Sequence, residues 1–228
     1  MNIELFDLTF HYKDNQPIFE HLNLSIPLQH WVVITGGSGS GKTTLVKLIA
    51  GLLKPDQGRI IFPSNEINHA DFHFGYLFQN PDDQLIQFNL ERELAFNLEN
   101  SGIEPQTMRE KVENGLRGIE LFERRAESPN NLSGGEKQRL ALAGMLISQP
   151  QILILDEPCS FLDIFAQMDL RAKIKKLRQE RLSILWISQE DHEIRLADYV
   201  ICLKQGQVVF TGEVQGYIEQ FGKLTDAA

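Results

Sequence analysis

Nine residues, Gly36-Gly-Ser-Gly-Ser-Gly-Lys-Thr-Thr44, constrain this chain more than any other stretch. They fit G-x-x-x-x-G-K-[ST], a glycine loop that joins a strand to a helix. The flanks agree. Trp31-Val-Val-Ile-Thr35 is a β-branched apolar run that reads as a buried strand, and residues 44–51 carry apolar side chains at helical spacing. Gly36, Gly37, Gly39 and Gly41 let backbone N–H groups turn inward around a phosphate. The helix N-terminus behind them adds about half a positive charge. The Lys42 ammonium can reach β- and γ-phosphates and the Thr43 hydroxyl can ligate Mg²⁺. Ser38, Ser40 and Thr44 complete the loop. A nucleotide phosphate is the expected ligand, and the loop is silent on what its hydrolysis would serve.

Composition narrows the class. The chain has 228 residues, enough for one large α/β domain. Its 22 Lys+Arg against 31 Asp+Glu give a net charge of −9, which disfavours a nucleic-acid partner because such proteins show a basic face. Cys159 and Cys202 form neither a disulfide framework nor a zinc spacing, so a reducing cytosol is the expectation. The start, Met1-Asn-Ile-Glu-Leu, carries a charge at its fourth residue and reads as no signal peptide. No apolar run has the length of a membrane span, so work at a membrane would need another chain to cross it.

Residues 3–12 and 18–26 alternate with period two and predict a small antiparallel sheet around a turn at 13–17. Tyr12 ends the first of these strands. A turn at 54–58, a short strand at 59–62, a polar loop at 64–72 and a strand at 75–78 follow. Pro81 with its acids suits a helix first turn. Residues 85–99 and 105–117 read as helices, separated by a stop at 100–102, and 119–122 as a short apolar piece. Ser133-Gly-Gly-Glu136 has the spacing of a capping box and opens another helix. Residues 152–155 form a wholly apolar run that ends in Asp156-Glu157. Helix is expected at 164–180, strand at 183–187 and a short helix at 191–197. A hairpin around Gln205-Gly206 and a closing helix at 213–221 complete the pattern. The pattern predicts an α/β core with a helical insertion at about 80–149.

Two more stretches carry chemistry. A carboxylate at Asp156, where open α/β sheets bind ligands, can hold Mg²⁺ through water. Glu157 beside it can orient or deprotonate the attacking water. Leu132-Ser-Gly-Gly-Glu-Lys-Gln-Arg139 is a second anion device, a serine hydroxyl with glycine N–H groups at a helix start. One nucleotide hardly needs both devices. A head-to-tail pair of chains uses both, each offering its glycine loop to one face of a nucleotide and its serine–glycine helix to the other.

With these motifs the chain resembles the ATPase subunit of an ATP-binding cassette (ABC) transporter, over about residues 2–221. The resemblance implies a P-loop NTPase (RecA-like) core with an N-terminal antiparallel β-subdomain and an inserted helical subdomain, all in one domain of residues 1–228. The β-subdomain and core would take about 1–79 and 150–228, and the helical subdomain about 80–149. It implies that Tyr12 stacks on adenine and that Gln79 senses Mg²⁺ and water. Ser133, Gly134 and Gly135 would form the signature that meets the partner's ATP, and Asp163 would lie in the loop that crosses the dimer interface. Residues 77–84, Leu-Phe-Gln-Asn-Pro-Asp-Asp-Gln, and Leu142-Ala-Gly-Met-Leu146 resemble energy-coupling factor (ECF) importers of vitamins or transition-metal ions. In these, two ATPases pair with a transmembrane coupling protein and a substrate-binding membrane protein. That would place the chain at the cytoplasmic face of the membrane, with ATP and Mg²⁺ as cofactors.

The chain departs from that pattern in places. Cys159 and Phe161 stand where threonine and a small residue are usual, and Gln189 stands where a histidine normally contacts the γ-phosphate; His192 lies three residues late. Two other readings remain open: a soluble non-transport ABC ATPase such as an assembly factor, and a regulatory subunit that hydrolyses slowly.

Overall fold

Every residue of β3 (Trp31–Thr35) is buried, as its unbroken apolar run requires of a central strand. The computed structural model describes residues 1–13, 16–63, 73–99, 102–179 and 182–222. The expected loop at 64–72 and parts of the expected turn at 13–17 and stop at 100–102 lie outside the described residues. The chain packs as two compact units, residues 1–72 with 178–228, and residues 73–177.

The first unit holds two sheets. β1 (Asn2–His11), β2 (Pro17–Pro27) and β4 (Gln57–Ile61) pair antiparallel in the order β2-β1-β4, with Ile3 and Leu5, then Leu8 and Phe10, of β1 buried in two alternating pairs on either side of an irregularity where Asp7 has φ 50°. In the other sheet β3 lies between β7 (Ser183–Ile187) and β8 (Tyr199–Lys204), parallel to both, and β9 (Gln207–Glu213) adds antiparallel to β8 through the Gln205-Gly206 turn. The rings of Trp31 and Trp186, on neighbouring strands, stack at 5.2 Å. α1 (Lys42–Ile49) follows the glycine loop, α6 (Asp191–Ile194) follows β7, and α7 (Val214–Phe221) closes the chain. Tyr217 of α7 is buried among the rings of Phe210 and Phe221.

The second unit pairs β5 (Phe74–Leu77) with β6 (Ile152–Asp156) in parallel. Between them in the chain come α2 (Leu90–Glu99), α3 (Pro105–Gly118) and α4 (Gly134–Leu146), and after them α5 (Ile164–Gln179). The i, i+4, i+8 run Leu90, Leu94, Leu98 of α2 joins Val112, Leu116 and Leu140 in one apolar cluster. No helix among the described residues is long and apolar enough to cross a membrane.

The expected helix over 85–99 is shorter. It starts at Leu90, because the buried Glu93 carboxylate accepts from the backbone N–H groups of Ile86 at 3.0 Å and Gln87 at 2.7 Å. Those bonds give the loop partners that a helix would otherwise supply. Burial pushes the Glu93 carboxyl above its ordinary value, against the two N–H bonds.

Burial, and next the Cys202 thiol, push the Tyr217 hydroxyl from 10.0 to about 12. A raised folded-state pKa favours the neutral phenol, so this contribution is whole below pH 10 and is lost as pH rises towards about 12. Tyr217→Phe keeps the ring packing and removes the titration. Urea unfolding followed by tryptophan fluorescence is therefore expected to show the natural chain losing more stability than Tyr217→Phe over that window. The ceiling is roughly 3 kcal/mol, at about 1.4 kcal/mol per pH unit between the two values. Parallel curves would remove Tyr217 as the cause.

Candidate nucleotide site

The glycine loop of the first unit is held from behind. Gly36 has φ 135°, and a Cβ there would stand 2.0 Å from the Leu203 carbonyl oxygen of β8. Gly41 has φ 103°, and its Cβ would strike the Phe19 ring of β2 at 2.8 Å. The Gly206 N–H donates to the Ser40 carbonyl at 3.1 Å. Above Gly37 and Gly39, by contrast, a Cβ would meet nothing within 4 Å. The loop is packed on its inner side and open on its outer side.

Its polar groups suit an anion. The Lys42 ammonium is buried and donates to the carbonyls of Gly36 at 2.8 Å and Gly37 at 3.0 Å, so it is folded over the loop. No side chain caps the start of α1, where Gly41 stands at N-cap. The buried Ser40 hydroxyl makes no hydrogen bond among the described residues. A charged donor over an open glycine loop at a helix start fits a nucleotide's phosphates. The Tyr12 hydroxyl lies 3.3 Å from Thr44 Oγ1, and its ring meets Phe10 edge-on at 5.0 Å, leaving it partly exposed beside the loop. Thr43 is half-buried at the first turn. The Ser188 N–H donates to the Ile34 carbonyl at 3.2 Å, so exposed Gln189 leaves β7 at the same sheet end from which Gly36 leaves β3.

The second unit gathers another group. Buried Asp156 ends β6 and accepts from the Tyr76 hydroxyl at 3.0 Å. Glu157 follows with φ 46°, a left-handed conformation that costs about 1–3 kcal/mol in a non-glycine residue. Its Oε2 accepts from the Gln79 amide at 2.9 Å and the Ser160 hydroxyl at 3.4 Å. The buried Gln138 amide donates to the Pro158 carbonyl at 3.0 Å, tying α4 to the segment behind Glu157. Asp163 Oδ1 accepts from the N–H groups of Phe165 and Ala166 at 3.0 and 2.9 Å, which makes it the cap of α5. Phe161 is 64% exposed and Cys159 is buried.

The capping box at Ser133 forms as the spacing predicts. The Ser133 N–H and hydroxyl both donate to Glu136 Oε2, at 2.8 and 3.0 Å, and Arg124 donates to Oε1 at 2.6 Å. The Ser133 N–H, with help from Arg124, holds the Glu136 carboxyl below its ordinary value against its partial burial. Gly134 and Gly135 lie beside Phe161 and Ala166. Past Gln79, Asn80 caps a single 3₁₀ turn, Pro81–Asp83, and Asp82 pairs with Lys137 of α4 at 2.5 Å. Sequence reasoning gave no role to Arg124, Gln138, Phe19 or Gly206, although Gln138 lies within the 132–139 stretch and Gly206 within the expected hairpin.

The ABC transporter family profile matches residues 19–160, more than half of the chain. The energy-coupling factor transporter ATP-binding protein EcfA1 of Streptococcus mutans serotype c is 36% identical over 232 residues, 98% of this chain and 83% of that protein. EcfA1 of Streptococcus pyogenes serotype M5 is 37% identical over 220 residues, 92% of this chain and 78% of that protein. Among solved structures, CbiO1 of Clostridium perfringens, part of the ABC transporter complex CbiONQ, superposes with TM-score 0.83 at 27% identity, over 96% of this chain and 90% of that one. A bacterial Atm1-family ABC exporter with ATP bound shares the fold at TM-score 0.81 and 22% identity, over 99% of this chain and 41% of that one. The chain belongs to the ABC transporter family: it is an ATP-binding ATPase cassette with the P-loop NTPase fold, similar to the energy-coupling factor ATP-binding proteins.

Proposed function

We propose that this ATPase energises an ECF-type membrane importer of a vitamin or transition-metal ion, as one of two cassettes docked on the cytoplasmic side of a coupling protein and a substrate-binding membrane protein. The bond from Gln79 to Glu157 carries the catalytic part of this reading, because it ties the glutamine that follows β5 to the carboxylate assigned to the attacking water. Residues 36–41 with Lys42 and Thr44 hold the phosphates, and Tyr12 carries the adenine. Thr43, Gln79 and Asp156 supply the oxygen donors that Mg²⁺ prefers. Bound Mg²⁺ would neutralise phosphate charge. Ser133, Gly134, Gly135 and Asp163 serve the partner cassette's nucleotide.

The names of the relatives support import, and so does the surface after Gln79. Ile86 and Phe88 are 64% and 68% exposed beside the acidic turn at Asp82 and Asp83. An apolar pair next to carboxylates suits a partner helix with apolar and basic side chains. A slow, regulatory cassette is the second reading. It is favoured by Gln189, whose neutral amide donates a weaker hydrogen bond than a charged imidazole.

Lys42→Ala is expected to weaken ATP binding by about 1.5–3 kcal/mol, the range of hydrogen bonds to charged groups. Glu157→Gln is expected to bind ATP and lose nearly all turnover. Calorimetric titration and phosphate release check both, and unchanged values would reject the site. Ser133→Arg should leave ATP binding in place while stopping hydrolysis, and turnover by the natural chain should rise with its concentration. Full turnover at any dilution would reject the paired cassette. Asp83→Arg should impair transport or complex assembly more than ATPase activity. Asp82 is the poorer probe because its replacement also breaks the Lys137 pair. Gln189→His should speed hydrolysis, by about tenfold for each 1.4 kcal/mol gained in the transition state. No change there would favour a site not limited at this position.

A further inference from the structure

Trp186 and Ser188 stand two residues apart where β7 ends, so their side chains leave the strand on one face. Both reach the same atom. The Trp186 indole N–H donates to Glu193 Oε2 at 3.1 Å, and the Ser188 hydroxyl donates to that oxygen at 2.6 Å. Ser188 Oγ in turn accepts from the Glu190 backbone N–H at 3.0 Å. With the Ser188 N–H bonded to Ile34, the backbone on both sides of Gln189 is held. His192 comes only within 3.9 Å of Glu190 and Glu193, beyond hydrogen-bond range.

Glu193 is 2% exposed. A carboxylate that deep is unfavourable unless donors satisfy it, and an apolar residue would fill the space more cheaply. Its helix, α6, has four residues, too few to hold itself against the strand end. The bond to Ser188 is short and charge-assisted, the kind that fixes a geometry.

We propose that Glu193 is a positioning residue of the hydrolysis site: through the Ser188 hydroxyl it fixes the turn on both sides of Gln189 and so aims that side chain. The inference rests on the assignment of Gln189 to the γ-phosphate and adds the device that sets its direction. Glu193 touches no substrate in this scheme. Its effect passes through the backbone of 188–190.

The test is a mutant cycle on the full chain, reading kcat and KM for ATP together with thermal melting. Ser188→Ala is expected to lower kcat about tenfold while KM stays within about threefold. Ser188→Thr, which keeps the hydroxyl, should restore most of the loss, and Glu193→Gln, which keeps an acceptor without the charge, should fall between. In a Gln189→Ala background, Ser188→Ala should change kcat by less than about twofold, since residues acting in series do not add. An equal loss from Ser188→Ala in both backgrounds, or a lower melting temperature with kcat unchanged, would overturn the proposal. If Gln189→Ala slows turnover and Ser188→Ala does not, the positioning role alone fails. If Gln189→Ala is neutral while Glu157→Gln stops turnover, the assignment of Gln189 fails and takes the relay with it.

Discussion

The structure depends on how its glycine loop is held: a backbone N–H of residues 36–41 that is offered to a ligand cannot also hold the loop, and the Ser40 N–H already donates to the Gly37 carbonyl at 3.2 Å. Polar backbone groups need partners somewhere. The loop is therefore held by its neighbours in the first unit: the Leu203 carbonyl against Gly36, the Phe19 ring against Gly41, and the Gly206 N–H on the Ser40 carbonyl. The β8–β9 hairpin and β2 thus brace the glycine loop from its inner side. Lys42, donating to the carbonyls of Gly36 and Gly37, keeps its charge satisfied beside the same loop.

Carboxylates serve as the second unit's fasteners. Glu93 closes the loop at 86–87, Glu136 closes the start of α4, and Glu157 is held at φ 46° by Gln79 and Ser160. In the first two, a carboxylate accepts backbone N–H bonds that the chain leaves open at a turn or helix end. The third is strained as well as bonded, with a left-handed backbone at a residue that is not glycine. Glu193 in the first unit repeats the device next to Gln189, with a side-chain hydroxyl between the carboxylate and the backbone. Glu93 and Glu193 are thus buried carboxylates that fasten turns, one in each unit.

Much of this was legible in the sequence, and the legible part has a common cause. The strand at Ser183–Ile187, the capping box at Ser133, the hairpin at Gln205-Gly206 and the glycine loop all depend on residues within a few positions of one another. Local spacing encodes them directly. The helix expected from residue 85 failed for the opposite reason. Residues 85–89 have helical composition, but Glu93 takes the N–H groups of Ile86 and Gln87, and a fragment of pattern does not reveal which way a carboxylate turns.

By itself the sequence determined that this chain binds nucleotide phosphate, that Asp156 and Glu157 end an apolar strand, and that Ser133 opens a helix. Glycine permissiveness, strand hydrophobicity and capping are properties of short stretches, and 36–44, 152–157 and 132–139 each display theirs within a few residues. Tertiary structure alone decided that Arg124 braces Glu136, that Gln138 ties α4 to Pro158, that Gln79 meets Glu157 and that Glu193 reaches Ser188. The reason is geometric. These bonds depend on where side chains point after helices and strands have packed, and packing is settled by apolar burial across the whole unit, which no short window of sequence contains.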